Sequence, residues 1–310
     1  MMRIGLQFDT RGKDDIETLL ADFVRAEEEG FDSVWIGQVF EHDILTLFAL
    51  AGLRTQRIEL GTSVVPLPSR HVTTLAQQAL TTQLASGNRL CLGVGSGHAM
   101  ILDRKLGLPS DRPLGRTREA LETLRPLLRG EYVKYAGEFE RVKVDIPIAG
   151  AAPPPVILAA LGPKMIELAN ELADGVSLVF AGGDFVAKHV RPRLADSARI
   201  VASVPVALTD AGEAMETLID QYTAPSMALP PYQRTMATQG LERVSQLAIL
   251  GDEQAVEAGL AALEASGTTD LNPILVSGKA DPGCADRTRA FLAQRTLSTL
   301  GKAFLTSRNS

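Results

Sequence analysis

His98 is the side chain in this sequence with the clearest capacity to move a proton. It follows a Gly-Ser-Gly run, directly after an apolar segment with the composition of a β-strand. Because the ordinary pKa of an imidazole lies near neutrality, a loop histidine can donate a proton or hydrogen-bond a bound ring at neutral pH. A histidine bonded only to local backbone would explain the same residue, and His42 and His71 are rivals. We take His98 as the candidate catalytic residue with these alternatives open.

The consecutive residues Glu41, His42 and Asp43 are potential metal ligands, but they do not predict a metal site. Neighbouring residues at a strand-helix junction point in different directions, and Asp43 has the type and place of a helix N-cap. The two cysteines, Cys91 and Cys284, show no CxxC spacing and no framework of disulfides. We therefore predict no metal, and a reducing cytoplasm fits the cysteine usage best.

Gly93, Gly95 and Gly97 form the pattern G-V-G-S-G after a strand, which a motif search would compare with a dinucleotide fingerprint. The third glycine comes too early, no clear helix follows, and the pattern lies in mid-chain. These departures argue against a two-domain NAD-dependent dehydrogenase. A glycine-rich strand exit that a flat ligand approaches closely explains the same residues, so Gly95, Ser96 and Gly97 are predicted ligand contacts.

Gly162, Pro163 and Lys164 stand where a helix begins after another apolar segment. Proline is favoured at the first helical position, and the free backbone N–H groups of a helix start attract anions. The pattern predicts a place for a phosphate group. Lys164 either adds a positive charge there or is an ordinary surface lysine.

Short apolar segments alternate with longer segments of helical periodicity along the whole chain, as a parallel sheet with crossover helices requires. At 310 residues and 45% hydrophobic content, the chain can bury one large core. Without a Pro/Gly/Ser-rich linker, eight such units favour a closed (β/α)8 TIM barrel over two open sheets. The predicted strands cover residues 3–9, 32–38, 58–65, 89–94, 156–160, 176–180, 199–208 and 270–276. The predicted helices cover residues 14–29, 43–54, 73–85, 116–128 and 285–296.

Insertions interrupt this alternation, and we expect them at the C-terminal face of a single barrel domain spanning residues 1–310. A loop insertion at 98–115 belongs to a Gly-, Pro- and charge-rich segment. Residues 132–144 predict a small extended excursion. A helical cap is predicted at about 211–265, between strands seven and eight.

Composition excludes several classes of partner. The chain has 31 Lys+Arg against 37 Asp+Glu, a net charge of −6 without long runs of one sign, so nucleic acid is not an expected partner. No apolar run approaches the roughly 20 residues of a membrane-spanning helix, and the N-terminus has no secretory signal pattern. We expect a cytoplasmic protein that binds a small molecule.

Six segments together resemble the luciferase-like flavin and deazaflavin oxidoreductases, over roughly residues 3–276. In chain order they read DSVWIGQ, LTLFALAGLRTQRIELGTSVVPLPSRH, GNRLCLGVGSGH, PPPVILAALGPKMIELANELADG, LPPYQR and LGDEQAVEAGLAAL. The last two segments resemble one deazaflavin-dependent branch. The resemblance implies a non-proline cis peptide at Ser63-Val64, where an ordinary strand ending at two prolines is the alternative. Gln38 departs from the acidic residue or histidine that some deazaflavin members have at this strand end.

The resemblance and the strand-end rule of barrel enzymes together select the candidate site. The proposed catalytic residues are His98 and Gln38, where the amide of Gln38 retains hydrogen-bonding capacity but not proton transfer. The predicted cofactor contacts are Asp9, Gln38, Thr62, Ser63, Val64, Gly95, Ser96, Gly97, His98, Ala159, Ala160, Leu161, Gly162, Pro163 and Lys164. Local positive charge for an acidic cofactor tail is expected from Arg70, Arg104 and Lys105.

The resemblance also implies a tricyclic cofactor in the barrel mouth, and coenzyme F420 is favoured over FMN. Reduced FMN can react with oxygen, whereas a deazaflavin is limited to hydride transfer, so the predicted enzyme is an F420-dependent reductase or dehydrogenase. An FMN-dependent monooxygenase and a non-catalytic flavin- or deazaflavin-binding protein are the alternatives. Relatives commonly pair through barrel helices, which implies a homodimer.

Overall fold

Eight parallel strands close into a barrel in the computed structural model, which describes residues 1–12 and 15–307. Every strand pairs with the next, and β1 pairs with both β2 and β8, so the sheet has no free edge. The barrel strands are β1 Arg3–Gln7, β2 Ser33–Ile36, β3 Glu59–Thr62, β4 Leu90–Gly95, β5 Val156–Ala159, β6 Gly175–Val179, β7 Arg199–Ser203 and β8 Asp270–Leu271. The predicted (β/α)8 fold is confirmed.

Within the described residues, nine longer helices surround or cap the barrel. They are α1 Ile16–Glu28, α2 Ile44–Arg54, α3 Val72–Ala85, α4 Pro113–Leu128, α5 Pro163–Leu172, α6 Gly212–Met227, α7 Pro230–Gln239, α8 Glu253–Ala265 and α9 Cys284–Ser307. Asp43 caps α2 as predicted, since its carboxylate accepts a hydrogen bond of 2.9 Å from the Thr46 N–H. Asp15 caps α1, whereas Asp14, the predicted first helical residue, lies outside the described residues.

Three of the predicted strands are each divided into two pieces. The third is interrupted by the Ser63-Val64 peptide bond, which is cis as predicted, and resumes at Val65–Pro66. The continuations of the seventh and eighth, Pro205–Leu208 and Ile274–Leu275, leave the barrel. They pair with each other, and Pro205–Leu208 also pairs with Ile249–Gly251, in a separate three-stranded parallel sheet.

The insertions differ from their predicted form. The segment 98–115 is not a loop throughout, because it holds helical turns at Ala99–Ile101 and Leu102–Leu106 and the start of α4. The segment 211–265 is not purely a helical cap, since it contains the strand Ile249–Gly251. Its last helix, α8, packs Val256, Leu260 and Leu263 into the main core. The cap proper is therefore formed by α6 and α7.

The other short elements connect the barrel strands and the longer helices. Residues 132–144 form an antiparallel hairpin, as the predicted extended excursion requires, with strands Val133–Ala136 and Arg141–Val144. Further helical turns are Leu67–Ser69, Gly183–Phe185, Val186–Val190, Arg191–Arg193 and Val244–Leu247. No helix within the described part of the chain combines the length and apolar character needed to cross a membrane.

The N-terminal end of the barrel is filled by an ionic cluster. The Arg199 Nη2 atom lies 2.6 Å from Asp270 Oδ1 and 2.8 Å from Glu59 Oε1, and its guanidinium stands 5.9 Å from the centre of the Trp35 ring. Trp35 and Cys91 are fully buried above this cluster. Burial raises the pKa of the Cys91 thiol, which remains protonated. Because side chains occupy this end, the C-terminal mouth is where a ligand can meet the strand ends.

Candidate active site at the barrel mouth

The predicted contacts from strands three, four and five do lie side by side. A Cβ placed on Gly95 would stand 2.9 Å from Val64 Cγ2 and 3.1 Å from Ala159 Cβ. The Ser63 Oγ atom lies 3.4 Å from the Ser177 hydroxyl on β6. Four neighbouring strand ends therefore meet in one small region of the mouth.

The glycines of β4 have a different explanation from the predicted one. A Cβ on Gly93 would stand 1.8 Å from the Thr62 carbonyl oxygen, so the neighbouring strand itself requires glycine there. Gly95 is restricted by Val64 and Ala159 in the same way. Close approach of a ligand is not needed to account for either residue. Gly97 has φ +74°, a left-handed conformation that favours glycine.

Gln38 is engaged by the protein itself. Its Oε1 accepts hydrogen bonds from the Ile44 N–H at 3.1 Å and from Arg70 Nη2 at 3.2 Å, and its Nε2 donates to the His42 carbonyl at 3.4 Å. Arg70 also forms an ion pair with Asp43. These contacts hold the loop after β2 against the start of α2, and a role of Gln38 toward a cofactor stays a prediction.

Two buried polar atoms beside Gln38, Arg70 Nη1 and His42 Nδ1, find no hydrogen-bond partner among the residues that the structure describes. A buried donor without a partner costs free energy, and such atoms are often completed by a ligand or water. Of the side chains predicted to supply positive charge, Arg70 therefore has an N–H donor that a ligand could accept from. Lys105 instead stands 5.2 Å from the centre of the Phe40 ring, which is half exposed.

The start of α5 is open, as the sequence predicts for an anion site. Gly162 is the N-cap, and in the described part of the chain no side chain caps this helix and no other atom lies within 4 Å of a Cβ placed on Gly162. Gly162, Pro163 and Lys164 are exposed, whereas Ala160 is buried and Leu161 packs against the main core. The unpaired N–H groups of such a helix start favour negative charge.

The side chains of Thr62 and Asp9 already have partners within the protein, so they are less available to a cofactor than predicted. The Thr62 hydroxyl is buried and donates to the Gly93 carbonyl at 2.6 Å. Asp9 forms an ion pair of 2.6 Å with Arg11, whose Nη2 also lies 3.3 Å from the Tyr222 hydroxyl on the cap. Contacts of Thr62 and Asp9 with a cofactor stay predictions.

His98 meets a residue that the sequence reasoning did not assign to the site. The Tyr232 hydroxyl, from α7 of the cap, lies 3.3 Å from His98 Nε2, and the two ring centres are 5.5 Å apart. Tyr232 also makes an edge contact with Phe180 at the end of β6, at 5.4 Å. The segment LPPYQR was the available signal, but the sequence does not give the position of the cap over the mouth.

Burial lowers the pKa of His98 below 6.5 and raises the pKa of Tyr232 above 10.0. Both side chains are therefore uncharged at pH 7. Among the residues with described side chains, no group of three or more His, Cys, Asp and Glu forms a metal-binding cluster. The mouth combines a neutral imidazole-phenol pair with an open helix start, which suits binding of a ring with an anionic side chain.

We expect the depressed pKa of His98 to appear directly in an NMR titration, with a midpoint below 6.5. Because the folded protein binds this proton less readily than the unfolded chain, the neutral imidazole adds to the free energy of unfolding at pH values above the unfolded pKa. This contribution is lost as pH falls through the folded pKa. Chemical denaturation should show wild type losing free energy of unfolding relative to His98→Gln over this range. A midpoint at or above 6.5 would contradict the assignment of burial as the cause.

A closed parallel barrel with polar groups gathered at its C-terminal mouth defines the class of (β/α)8-barrel proteins with a ligand site at the strand ends. The chain belongs to the luciferase-like monooxygenase family, whose sequence profile matches residues 2–297. This membership confirms the resemblance given by the sequence segments.

Two curated relatives are similar over part of the chain. A 5,10-methylenetetrahydromethanopterin reductase of Archaeoglobus fulgidus is 37% identical over 156 residues, covering 49% of this chain and 46% of that protein. A putative coenzyme F420-dependent oxidoreductase of Mycobacterium tuberculosis is 34% identical over 193 residues, covering 58% and 56%. The matched part of the chain thus spans about half the length of these relatives.

Solved structures show the same fold over nearly the whole chain. The F420-dependent tetrahydromethanopterin reductase from Methanopyrus kandleri superimposes with a TM-score of 0.74 at 20% identity, covering 94% of this chain and 97% of that one. The oxygenating constituent of 3,6-diketocamphane monooxygenase from Pseudomonas putida, in complex with FMN, gives 0.71 at 19% identity, with the same coverage. The solved structures with this fold therefore include one described as F420-dependent and one in complex with FMN.

Proposed function

We propose that this protein is an F420-dependent oxidoreductase that transfers a hydride between the deazaflavin and a small organic substrate. The proposal is supported by the Mycobacterium tuberculosis relative, which is named for this cofactor. Support also comes from the Methanopyrus kandleri neighbour in fold. The substrate class that we propose is a carbonyl, enone or imine and its reduced partner.

The residues present fit such a cofactor on two observations of the mouth. Arg70 Nη1 is a buried donor without a partner, and the start of α5 is uncapped and sterically open at Gly162. Gly162, Pro163 and Lys164 would hold the phosphate, and the backbone at Ser63 and Val64 would support the ring. When bound, F420 supplies or accepts the hydride.

The chain's own part in the reaction is to orient and to handle a proton. A neutral imidazole can donate a hydrogen bond to a substrate oxygen and so stabilise the negative charge that develops there as the hydride arrives. The observation that carries the proposal is the half-buried, uncharged pair of His98 and Tyr232, which lies at the same barrel end as the open start of α5. Exclusion of water by the cap would protect that pair from solvent.

The second candidate is an FMN-dependent monooxygenase, favoured by the fold neighbour in complex with FMN. A third reading, a flavin or deazaflavin carrier without turnover, is favoured by the lack of a charged acid-base pair beside His98 in the described residues.

Fluorescence titration separates the cofactors. We expect F420 to bind with a dissociation constant in the micromolar range or below, and FMN to bind at least about ten-fold more weakly. Equal or tighter binding of FMN would reverse the choice of cofactor.

Turnover separates an enzyme from a carrier. Reduced F420 should be reoxidised steadily by at least one member of a panel of ketones, enones and imines, without consumption of oxygen. Tight binding without turnover over the whole panel would favour the carrier.

The single-domain organisation, the homodimer and the cytoplasmic location remain predictions.

A further inference from the structure

The cap contacts the barrel mouth through two tyrosines in different ways. Tyr222 on α6 is half exposed, and its hydroxyl lies 3.3 Å from the Arg11 guanidinium after β1. Tyr232 on α7 is more buried, and its hydroxyl reaches His98 Nε2. One phenol thus contacts a surface ion pair, and the other contacts the candidate catalytic group.

The position of Tyr232 is fixed by a second contact between α7 and the mouth. Gln239, at the end of the same helix, donates from Nε2 to the Phe180 carbonyl at 2.9 Å and accepts from the Gly182 N–H at 2.9 Å. Phe180 has φ +57°, a left-handed conformation that is unfavourable for a bulky residue and persists only where its surroundings hold it. The two hydrogen bonds of Gln239 provide that restraint and tie α7 to the end of β6.

The Phe180 ring completes the arrangement, because it makes an edge contact with Tyr232 at 5.4 Å. Tyr232 is therefore held by its helix, by Phe180 and by His98. Such a well-supported side chain orients its partner with little loss of side-chain entropy. The Tyr232 hydroxyl is therefore held in place against the His98 imidazole.

The chemistry of the two groups decides the direction of their hydrogen bond. A phenol is a good donor and a weak acceptor, whereas the bare nitrogen of a neutral imidazole is a strong acceptor. The Tyr232 O–H should therefore donate to Nε2, and a neutral ring that accepts at Nε2 carries its proton on Nδ1. Among the described residues, Tyr232 is the titratable group packed against the ring, and no charged side chain contributes to the pKa shift of His98.

We propose that Tyr232 is a positioning residue of the cap that fixes His98 as the Nδ1–H tautomer, so that Nδ1–H is the donor left for the substrate. This inference rests on the proposed function for its effect on turnover. The tautomer itself is a property of the protein alone.

The test is Tyr232→Phe, which keeps both ring contacts and removes only the hydroxyl. We expect kcat to fall about 10-fold, with KM and the cofactor dissociation constant within about two-fold of wild type. Loss of a donor to the neutral ring should raise the pKa of His98, so the midpoint of its NMR titration should move to higher pH. Tyr222→Phe, on the other cap helix, is the matched control and should change neither quantity.

Nitrogen-15 NMR of the imidazole provides a readout that does not require turnover. Wild type should show a protonated Nδ1, and Tyr232→Phe should move the ring toward the Nε2–H tautomer. A protonated Nε2 in wild type, or an unchanged tautomer and titration midpoint of His98 in Tyr232→Phe, would overturn the proposal. If no substrate is turned over but the tautomer changes as expected, the proposed function fails and the positioning role of Tyr232 stands.

Discussion

Replacement of His98 by alanine is expected to lower kcat about 10³-fold, the middle of the range for loss of a group that handles a proton in the transition state. His98 is half-buried and uncharged at neutral pH, and its Nε2 is engaged by Tyr232. Its loss removes a donor at the reacting centre but does not alter the start of α5. The cofactor dissociation constant should therefore stay within about three-fold of wild type.

His189→Ala provides the matched control for His98→Ala. His189 packs against Phe185 at 5.2 Å in the turn Val186–Val190 and takes no part in the cluster around Tyr232. Its kcat should remain within about two-fold of wild type. Normal turnover by His98→Ala with normal cofactor binding would remove His98 from the catalytic assignment. Steady-state kinetics with reduced F420 and the best substrate of the panel provide the measurement.

A carboxylate at the start of α5 should separate cofactor affinity from protein stability. Gly162 has an extended conformation and open space around its Cα, so Gly162→Asp fits without strain and can cap the helix. The free energy of unfolding should stay level or rise by about 0.3 kcal/mol. The negative charge should repel a phosphate at the same N–H groups and raise the cofactor dissociation constant about 100-fold.

Gly162→Asn isolates the role of charge in this prediction. Asparagine caps a helix as well as aspartate does, but it is neutral, so it competes only for the N–H groups. We expect about a five-fold rise in the dissociation constant, well short of the aspartate effect. Equal dissociation constants for wild type and Gly162→Asp would show that no anion lies at this helix start. Fluorescence titration and chemical denaturation of both variants provide the two measurements.

The sequence by itself determined the barrel and much of its outline. Alternation of apolar strands with amphipathic helices is a local pattern, and the backbone hydrogen bonds of parallel strands require the crossover helices between them. Helix N-caps also depend on the local sequence alone, as Asp43 at the start of α2 demonstrates. The open start of α5 was predictable because Gly162 and Pro163 act on their own helix.

Only the tertiary structure decided how the candidate site is assembled. The sequence assigned Gln38 to a cofactor, but it did not show that the amide oxygen also accepts hydrogen bonds from Arg70 and from the start of α2. It missed Tyr232, which lies 134 residues along the chain from His98. Contacts over such a separation depend on how the cap folds back over the mouth. Local residue patterns do not encode that placement, because it results from packing between whole elements.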